Sequence, residues 1–439
     1  MMTKKWQPYP TYKDSGVEWL GKIPEHWEVK KLKYIFQVFN GSTPKSGVPE
    51  YWDGNIFWVT PDDLGKLKGS TIFSTERKIT QSGYLSCGTK LVAVGSLVLS
   101  TRAPIGHLAI TGVELCTNQG CRCLVFRYKD SIQFFYYFLM SARRELELWG
   151  QGTTFQELAK GKLESVFSIL PPLPEQQKIA QFLDQETSKI DNLITKKERL
   201  IKLLKEKRTA LISHAVTKGL NPDVPMKDSG VEWLGEIPEH WKVLLLKRIA
   251  NIRYGLGQPP PEILYGTPLI RATNVKSGRI FQKDMIYIDP KQVPESRNAV
   301  LAAGEIIVVR SGAYTGDSAL IPEEYHGSIA GYDMVTTVKE GSNQFIAWQL
   351  LSSEVRYIQF AFHQLRAAQP HLNAEELRGT IITFPPLPEQ QKIAQFLDRE
   401  TSKIDNLITK TRTSIDHLKE YRTALISAAV TGKIDVREH

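Results

Sequence analysis

The chain contains one frame twice. KDSGVEWLG at Lys13–Gly21 returns at Lys227–Gly235, and IPEHW follows after one substituted position in both places. PPLPEQQKIAQFLD stands at Pro171–Asp184 and Pro385–Asp398, ETSKIDNLITK at Glu186–Lys196 and Glu400–Lys410, and RTALIS begins at Arg208 and at Arg422. Every pair is 214 residues apart, so a single register relates two units of roughly 12–225 and 226–439. Between these markers the copies part company, residues 30–165 sharing little with 244–379. Ends held alike around middles that differ describe two matching scaffolds carrying two unlike heads. The organisation to expect is a first head over 1–165, a first helical region over 166–219, a second head over 220–379 and a second helical region over 380–439.

The repeated PPLPEQQ segments open long helices. Pro174 fits a first helical turn, where its missing N–H is not needed, and Glu175 favours the positive end of the helix dipole. From there Ile179, Leu183, Ile190, Leu193, Ile201, Leu204 and Leu211 follow three-and-four spacing up to a stop at Lys218 and Gly219. Such a run predicts a helix about 65 Å long at about 1.5 Å per residue. Ile393, Phe396, Leu397, Ile404, Leu407, Ile408, Leu418 and Leu425 repeat the pattern in the second copy. One apolar stripe on so long a helix needs a partner, and the simplest partner is the other copy. Two tandem units about a pseudo-two-fold axis then form an antiparallel coiled coil; the alternative is two helices docked separately on their own heads. The basic run Lys196, Lys197, Arg199, Lys202, Lys205, Lys207 and Arg208 reads either as a solvated face or as a surface for phosphates.

The heads read as mixed α+β. In the first, Leu91–Ile110 and Cys121–Tyr128 carry strand patterns and Ile132–Leu148 a helix; in the second, Leu269–Phe281 and Glu305–Ile321 precede a helical Phe345–Phe360. Several loops combine cationic, amide and hydroxyl side chains with aromatics, the residue types that contact phosphates and base edges. Candidates in the first head are Ser42, Thr43, Lys45, Tyr51, Thr60, Arg102, Gln119, Gln151, Thr153, Thr154 and Gln156. Those in the second are Arg253, Tyr254, Arg271, Thr273, Asn274, Arg310, Ser311, Tyr314, Gln364, Arg366 and Gln369. Trp52, Trp58 and the run Phe134–Phe138 read as core instead.

A formal net charge of +9 agrees with a polyanionic partner, although charge alone decides little. Cys87, Cys116, Cys121 and Cys123 lack zinc-site spacing and read as reduced thiols. No signal-peptide run and no stretch of about 18 apolar residues is present, so a cytoplasmic protein without membrane association is expected. Catalytic signatures are missing too. There is no Asn/Asp-Pro-Pro-Tyr/Phe motif of amino-methyltransferases and no phosphate loop, and Asp62, Asp63 and Lys66 lack the strand context of a nuclease carboxylate set. No metal site and no catalytic residue is assigned.

The twice-used PPLPEQQKIA lead-in, each time after a variable region, resembles the conserved regions of type I restriction–modification specificity subunits. GVEWLGKIPEHWEVKKLK and GVEWLGEIPEHWKVLLLK are similar to the starts of that family's target-recognition domains. The resemblance covers nearly the whole chain. It implies two target-recognition domains, each reading one half of a split asymmetric site in double-stranded DNA, joined by an antiparallel coiled coil that sets the gap and docks two methylation subunits. S-adenosylmethionine would belong to those subunits, and ATP and Mg to added restriction subunits, with no cofactor in this chain. Unlike heads independently imply a non-palindromic site, with half-sites about one DNA turn, roughly 34–36 Å, apart. Two rival readings are a stand-alone DNA methyltransferase or nuclease with diverged motifs, and a coiled-coil adaptor whose heads bind proteins.

Overall fold

The computed structural model describes residues 6–102, 104–128, 130–150, 157–361 and 371–438. They fall into two compact units, one made of the residues up to 196 together with 414 onward, the other of 197–413. This division cuts across the duplication. Each unit takes one head, the start of the helix that follows it, and the end of the other repeat's helix.

In the first unit, β1 (Phe36–Asn40), β2 (Leu97–Ser100), β3 (Leu108–Thr111) and β4 (Cys121–Phe126) lie in the order β1-β4-β2-β3 with antiparallel neighbours. Side chains alternate across this sheet. Leu97, Leu99 and Leu124 join the core that holds Phe134, Phe135 and Phe138, whereas Val98, Cys121 and Cys123 enter a second core with Val59, Leu64 and Ala109. A smaller sheet sets Trp52–Val59 between Leu115–Thr117 and Lys78–Ile79, and Trp52 and Trp58 are buried edge to face at 5.2 Å. The helix expected over 132–148 forms as two pieces, Ile132–Ser141 and Arg143–Leu148, separated at Ala142, whose ψ is 3°.

The second head repeats the plan. β5 (Ala250–Tyr254), β6 (Ile306–Val308), β7 (Ser318–Leu320) and β8 (Met334–Val338) lie in the order β5-β8-β6-β7. Ile306 and Val308 face the core with Phe345, and Ile307 and Val309 face the one with Val335. The predicted helix over 345–360 begins earlier, at Asn343, and passes after Leu350 into a π-helical stretch, Glu354–Phe360.

The long helices are α1 (Leu173–Lys218, 46 residues) and α2 (Leu387–Val430, 44 residues). Both are followed by a glycine with positive φ, Gly219 at +81° and, one residue further on, Gly432 at +71°, a conformation open to glycine without a Cβ penalty. Within the second unit α1 advances through Leu204, Ile212 and Val216 while its companions on α2 descend through Ile408, Leu397 and Ile393, so the two segments run antiparallel. In the first unit Ile179, Leu183 and Ile190 share a core with Leu425, against which Leu418 packs. Ile201 and Leu211 are partly buried against the Leu204 cluster, and Leu193 is half-buried. Leu407 departs from the expected stripe. It is 45% exposed, and Ile408, 6% exposed, takes the inward place because the buried row here advances four residues from Ile404 rather than three.

The repeated motifs are the joints of this scaffold. In the first unit the buried Gln176 accepts from Ser131 N at 3.0 Å and donates to Pro171 O at 2.9 Å, tying the start of α1 to the N-cap of the head's helix. Gln390 makes the same pair of bonds with Ser342 N and Pro385 O, each 2.8 Å. His26 meets Glu175 at 2.8 Å and His240 meets Glu389 at 2.8 Å, beside the fully buried Trp27 and Trp241. The end of the other repeat's helix closes each opening segment: Lys433 Nζ donates to Leu20 O and Lys22 O at 3.1 and 2.7 Å, and Lys218 Nζ donates to Leu234 O and Glu236 O. The four accepting carbonyls are 214 residues apart in pairs, although the two Lys–Gly dipeptides occur in opposite order.

Candidate nucleic-acid interface

In the first head, the loops after β1, β2 and Trp52–Val59 meet the loop before β4. Ser42 N donates to Thr117 O at 2.9 Å, Asn118 N to Val59 O at 2.9 Å, and Thr101 N to Gly120 O at 2.7 Å. A Cβ on Gly41 would stand 1.8 Å from Asn118 O, so the close approach requires glycine there. This convergence gathers Ser42, Thr43, Arg102 and Gln119. Thr43 hydrogen-bonds Gln119, and Arg102 donates through Nε to Glu157 at 3.0 Å. Thr60 sits at the same edge but its side chain is committed to capping the helix Pro61–Lys66: its hydroxyl donates to Asp63 Oδ2 at 2.6 Å and accepts from Asp63 N at 3.3 Å. Asp62 pairs with Lys66 at 2.5 Å, so this acidic pair serves its own helix. Lys45 is exposed and lends its carbonyl to Trp52, while Tyr51 packs beside Trp52.

The second head makes the matching convergence. Gly255 N donates to Asp333 O at 2.9 Å, Gly331 N to Ile270 O at 2.8 Å and Arg310 N to Asp333 Oδ1 at 3.2 Å. Tyr254, Arg271, Arg310 and Ser311 belong to it. Arg271 donates to Asp284 O at 2.7 Å, and Ser311 bridges His371 along the backbone. Thr273 is exposed on the adjoining turn, and Tyr314 lies in the hairpin beyond Ser311 with Lys276 Nζ 5.6 Å from its ring. Two candidates serve the fold instead. Arg253 has all five N–H groups engaged, on Glu305 (2.5 and 2.7 Å), Thr337, Asn298 O and Val300 O, and Asn274 is fully buried with its amide on Phe281 O and Lys283 O. Burial pushes the Glu305 carboxyl up, but its bonds from Arg253, Ala302 and Thr337 prevail and hold it below the usual carboxylate range. Gln151, Thr153, Thr154, Gln156, Gln364, Arg366 and Gln369 lie outside the described residues.

Sequence reasoning placed Arg310 in the second convergence but missed Arg122 at the centre of the first, and Tyr332 and His371 beside Arg310. In the first head Arg122 is 7% exposed. It donates from Nε to Asn40 at 3.1 Å, from Nη1 to Thr101 and to Leu158 O at 2.7 Å, and from Nη2 to Glu157 at 3.3 Å. In the second head Arg310 lies over two rings, 4.6 Å from the Tyr254 centroid and 4.3 Å from that of Tyr332, with Nη2 2.9 Å from His371 Nε2. The two places correspond. Leu158 N donates to Thr101 O, and Leu372 N donates to Arg310 O, each at 2.8 Å; Asn40 and Tyr254, like Glu157 and His371, are 214 residues apart. One signal was available for Arg122, the single charge in the strand run CRCLVF. Asp333, 2% exposed, is pushed up to about 6 by burial, against the pull of its bond and charge from Arg310. Among the described residues no three His, Cys, Asp or Glu side chains converge as metal ligands, and no helix is long and apolar enough to cross a membrane.

Residues 24–203 and 238–417 match the family profile of the type I restriction modification DNA specificity domain. The chain belongs to this family. Family relatives span nearly its whole length. The MjaIX specificity subunit of Methanocaldococcus jannaschii is 28% identical over 95% of this chain and 96% of its own, and the EcoKI specificity subunit of Escherichia coli K12 is 20% identical over 94% and 90%. Among solved structures, a chain from work on complex assembly and conformational transition of the type I R-M system superposes with a TM-score of 0.71 at 14% identity, covering 93% of this chain and 98% of that one. The HsdS subunit of Thermoanaerobacter tengcongensis gives 0.53 at 14% identity, covering 96% and 100%. The two solved structures show that the fold is shared.

Proposed function

We propose that this chain is the sequence-specific DNA-binding subunit of a type I restriction–modification complex, with one head for each half of a split, asymmetric site. The observation that carries the reading is the pair of loop convergences: one order of four strands and one set of joints present two unlike groups of hydrogen-bonding side chains. Equal heads would suit a palindrome; unlike heads suit two different half-sites. Methylation subunits, holding S-adenosylmethionine, dock on the helical scaffold, restriction subunits bring ATP and Mg, and the chain works in the cytoplasm without catalysis of its own.

Modified-base sequencing of cells expressing this chain with its cognate methylation subunit, against cells lacking the chain, tests the proposal. A split adenine-methylated motif that depends on the chain is expected. With the partner expressed and bound, absence of any such motif would favour an adaptor whose heads bind proteins. In vitro, transfer from labelled S-adenosylmethionine to DNA should require the added methylation subunit; transfer by the purified chain alone would make it an enzyme.

A further inference from the structure

We infer that Arg310 is a base-reading residue of the second head, taking a guanine through the outer edge of its guanidinium, with Tyr254 and Tyr332 as the clamp that holds the guanidinium plane. This rests on the reading of the chain as a DNA-sequence reader and adds which residue discriminates and which base it selects.

The placement is unusual for an arginine that merely neutralises phosphate. Rings lie within 4.6 and 4.3 Å of the guanidinium carbon, and both remain accessible, Tyr254 at 41% and Tyr332 at 47% exposure. Tyr254 is itself held by a bond from Ala374 N to its hydroxyl at 2.8 Å. Arg310 Nε is buried, which leaves the edge formed by the two terminal nitrogens. Nη2 donates one hydrogen to His371 and keeps a second, and Nη1 has no hydrogen-bond partner among the described residues. A guanidinium can only donate, and two parallel N–H groups match the adjacent O6 and N7 acceptors of guanine in the major groove. A plane fixed by stacking loses less freedom on binding than a mobile lysine or arginine, which suits a directional contact.

The first head supplies the contrast. There the corresponding guanidinium, from Arg122, is filled by Asn40, Thr101, Leu158 O and Glu157 and is nearly inaccessible. It supports its loops, whereas in the second head the arginine comes from the loop strand itself and its terminal edge is left for a ligand.

The test is the methylated motif produced in cells by the complete methylation complex carrying wild type, Arg310→Lys, Arg310→Ala or Tyr332→Ala. The lysine variant keeps the charge and loses the fork. One G·C position in a single half-site should become degenerate in both Arg310 variants, with methylation of sites altered at that position rising about five- to hundred-fold relative to wild type. Tyr332→Ala should loosen the same position by less, and the other half-site should stay intact, which also reports a folded complex. An unchanged motif in Arg310→Lys, a uniform weakening of every site, degeneracy at an A·T pair, or loss of all methylation by an assembled complex in both Arg310→Lys and Tyr332→Ala would overturn the inference. A wild-type complex without any chain-dependent motif would instead bring down the underlying reading.

Discussion

Corresponding places in the two heads hold a guanidinium, but it arrives from different strands and meets different company. Arg122 projects from the second residue of β4 into a ring of acceptors; Arg310 stands two residues past the end of β6, between two tyrosines. Two of the surrounding backbone connections recur, Gly41 N to Cys121 O as Gly255 N to Asp333 O and Leu158 N to Thr101 O as Leu372 N to Arg310 O, whereas Thr101 N bonds Gly120 O and Arg310 N bonds the Asp333 carboxylate. A duplicated frame can therefore keep the main-chain bonds that recur at a junction and still exchange a structural cation for a ligand-facing one, because those bonds do not depend on the side chain that the position carries.

Stability measurements offer the sharpest way to break this comparison. Arg122→Ala strips four partners from a nearly buried site and leaves Glu157 without one of its two cations, so a loss of about 3–5 kcal/mol in the first unit is expected. Arg310→Ala should lower the second unit by less than about 1 kcal/mol. Native-state hydrogen exchange of 97–126 in one variant and 306–338 in the other checks both, and equal losses would mean that both arginines are structural.

Asp333→Asn sharpens the second half of the comparison. The folded carboxyl titrates near 6 and the ordinary carboxyl near 3.8, so between those values the folded chain holds a proton that the unfolded chain has released. Stability therefore falls as pH rises through this window, and the penalty is absent below it and complete above it. The asparagine can still accept from Arg310 N but cannot ionise. It should raise stability of the second unit at pH 7.5 by about 2–3 kcal/mol and have little effect at pH 3.5. Thermal unfolding at the two values decides it; a variant that is destabilised at pH 7.5 would show that the charged carboxylate is needed opposite Arg310.

The smallest effect concerns the helices, where duplicated residues make the same ion pair in different surroundings. Arg208 meets Asp405 at 3.1 Å with its side chain 12% exposed, also bonding Ser277 O, whereas Arg422 meets Asp191 at 2.9 Å with 27% exposure. Alanine at 208 should cost about 1–2 kcal/mol and at 422 less than about 1. Exchange protection of each unit reports the difference, and identical values would indicate that the scaffold joints are energetically equivalent as well as geometrically alike.

Much of the candidate site was legible as loops and little of it as contacts. Ser42, Thr43, Arg102, Gln119, Tyr254, Arg310 and Ser311 do gather at the two convergences, since polar and aromatic residues between strand patterns belong on strand ends. Arg253 was chosen by the same rule and is consumed by Glu305, 52 positions away in sequence; Asn274 is consumed by its own turn. Tyr332 and His371 carried no local pattern that would mark them.

The sequence by itself determined the duplication, the two long helices with their boundaries near 173 and 218, and the antiparallel pairing of segments that only a partner helix could bury. Periodicity and repetition are properties of neighbours along the chain, and helices report them faithfully. Only the tertiary structure decided that each unit is completed by the end of the other repeat's helix, that Ile408 rather than Leu407 is buried, and that one arginine is enclosed while the other is left open. Those outcomes depend on which distant acceptors a side chain can reach, and reach is set by how the sheets and loops pack, which the linear order of residues does not encode locally.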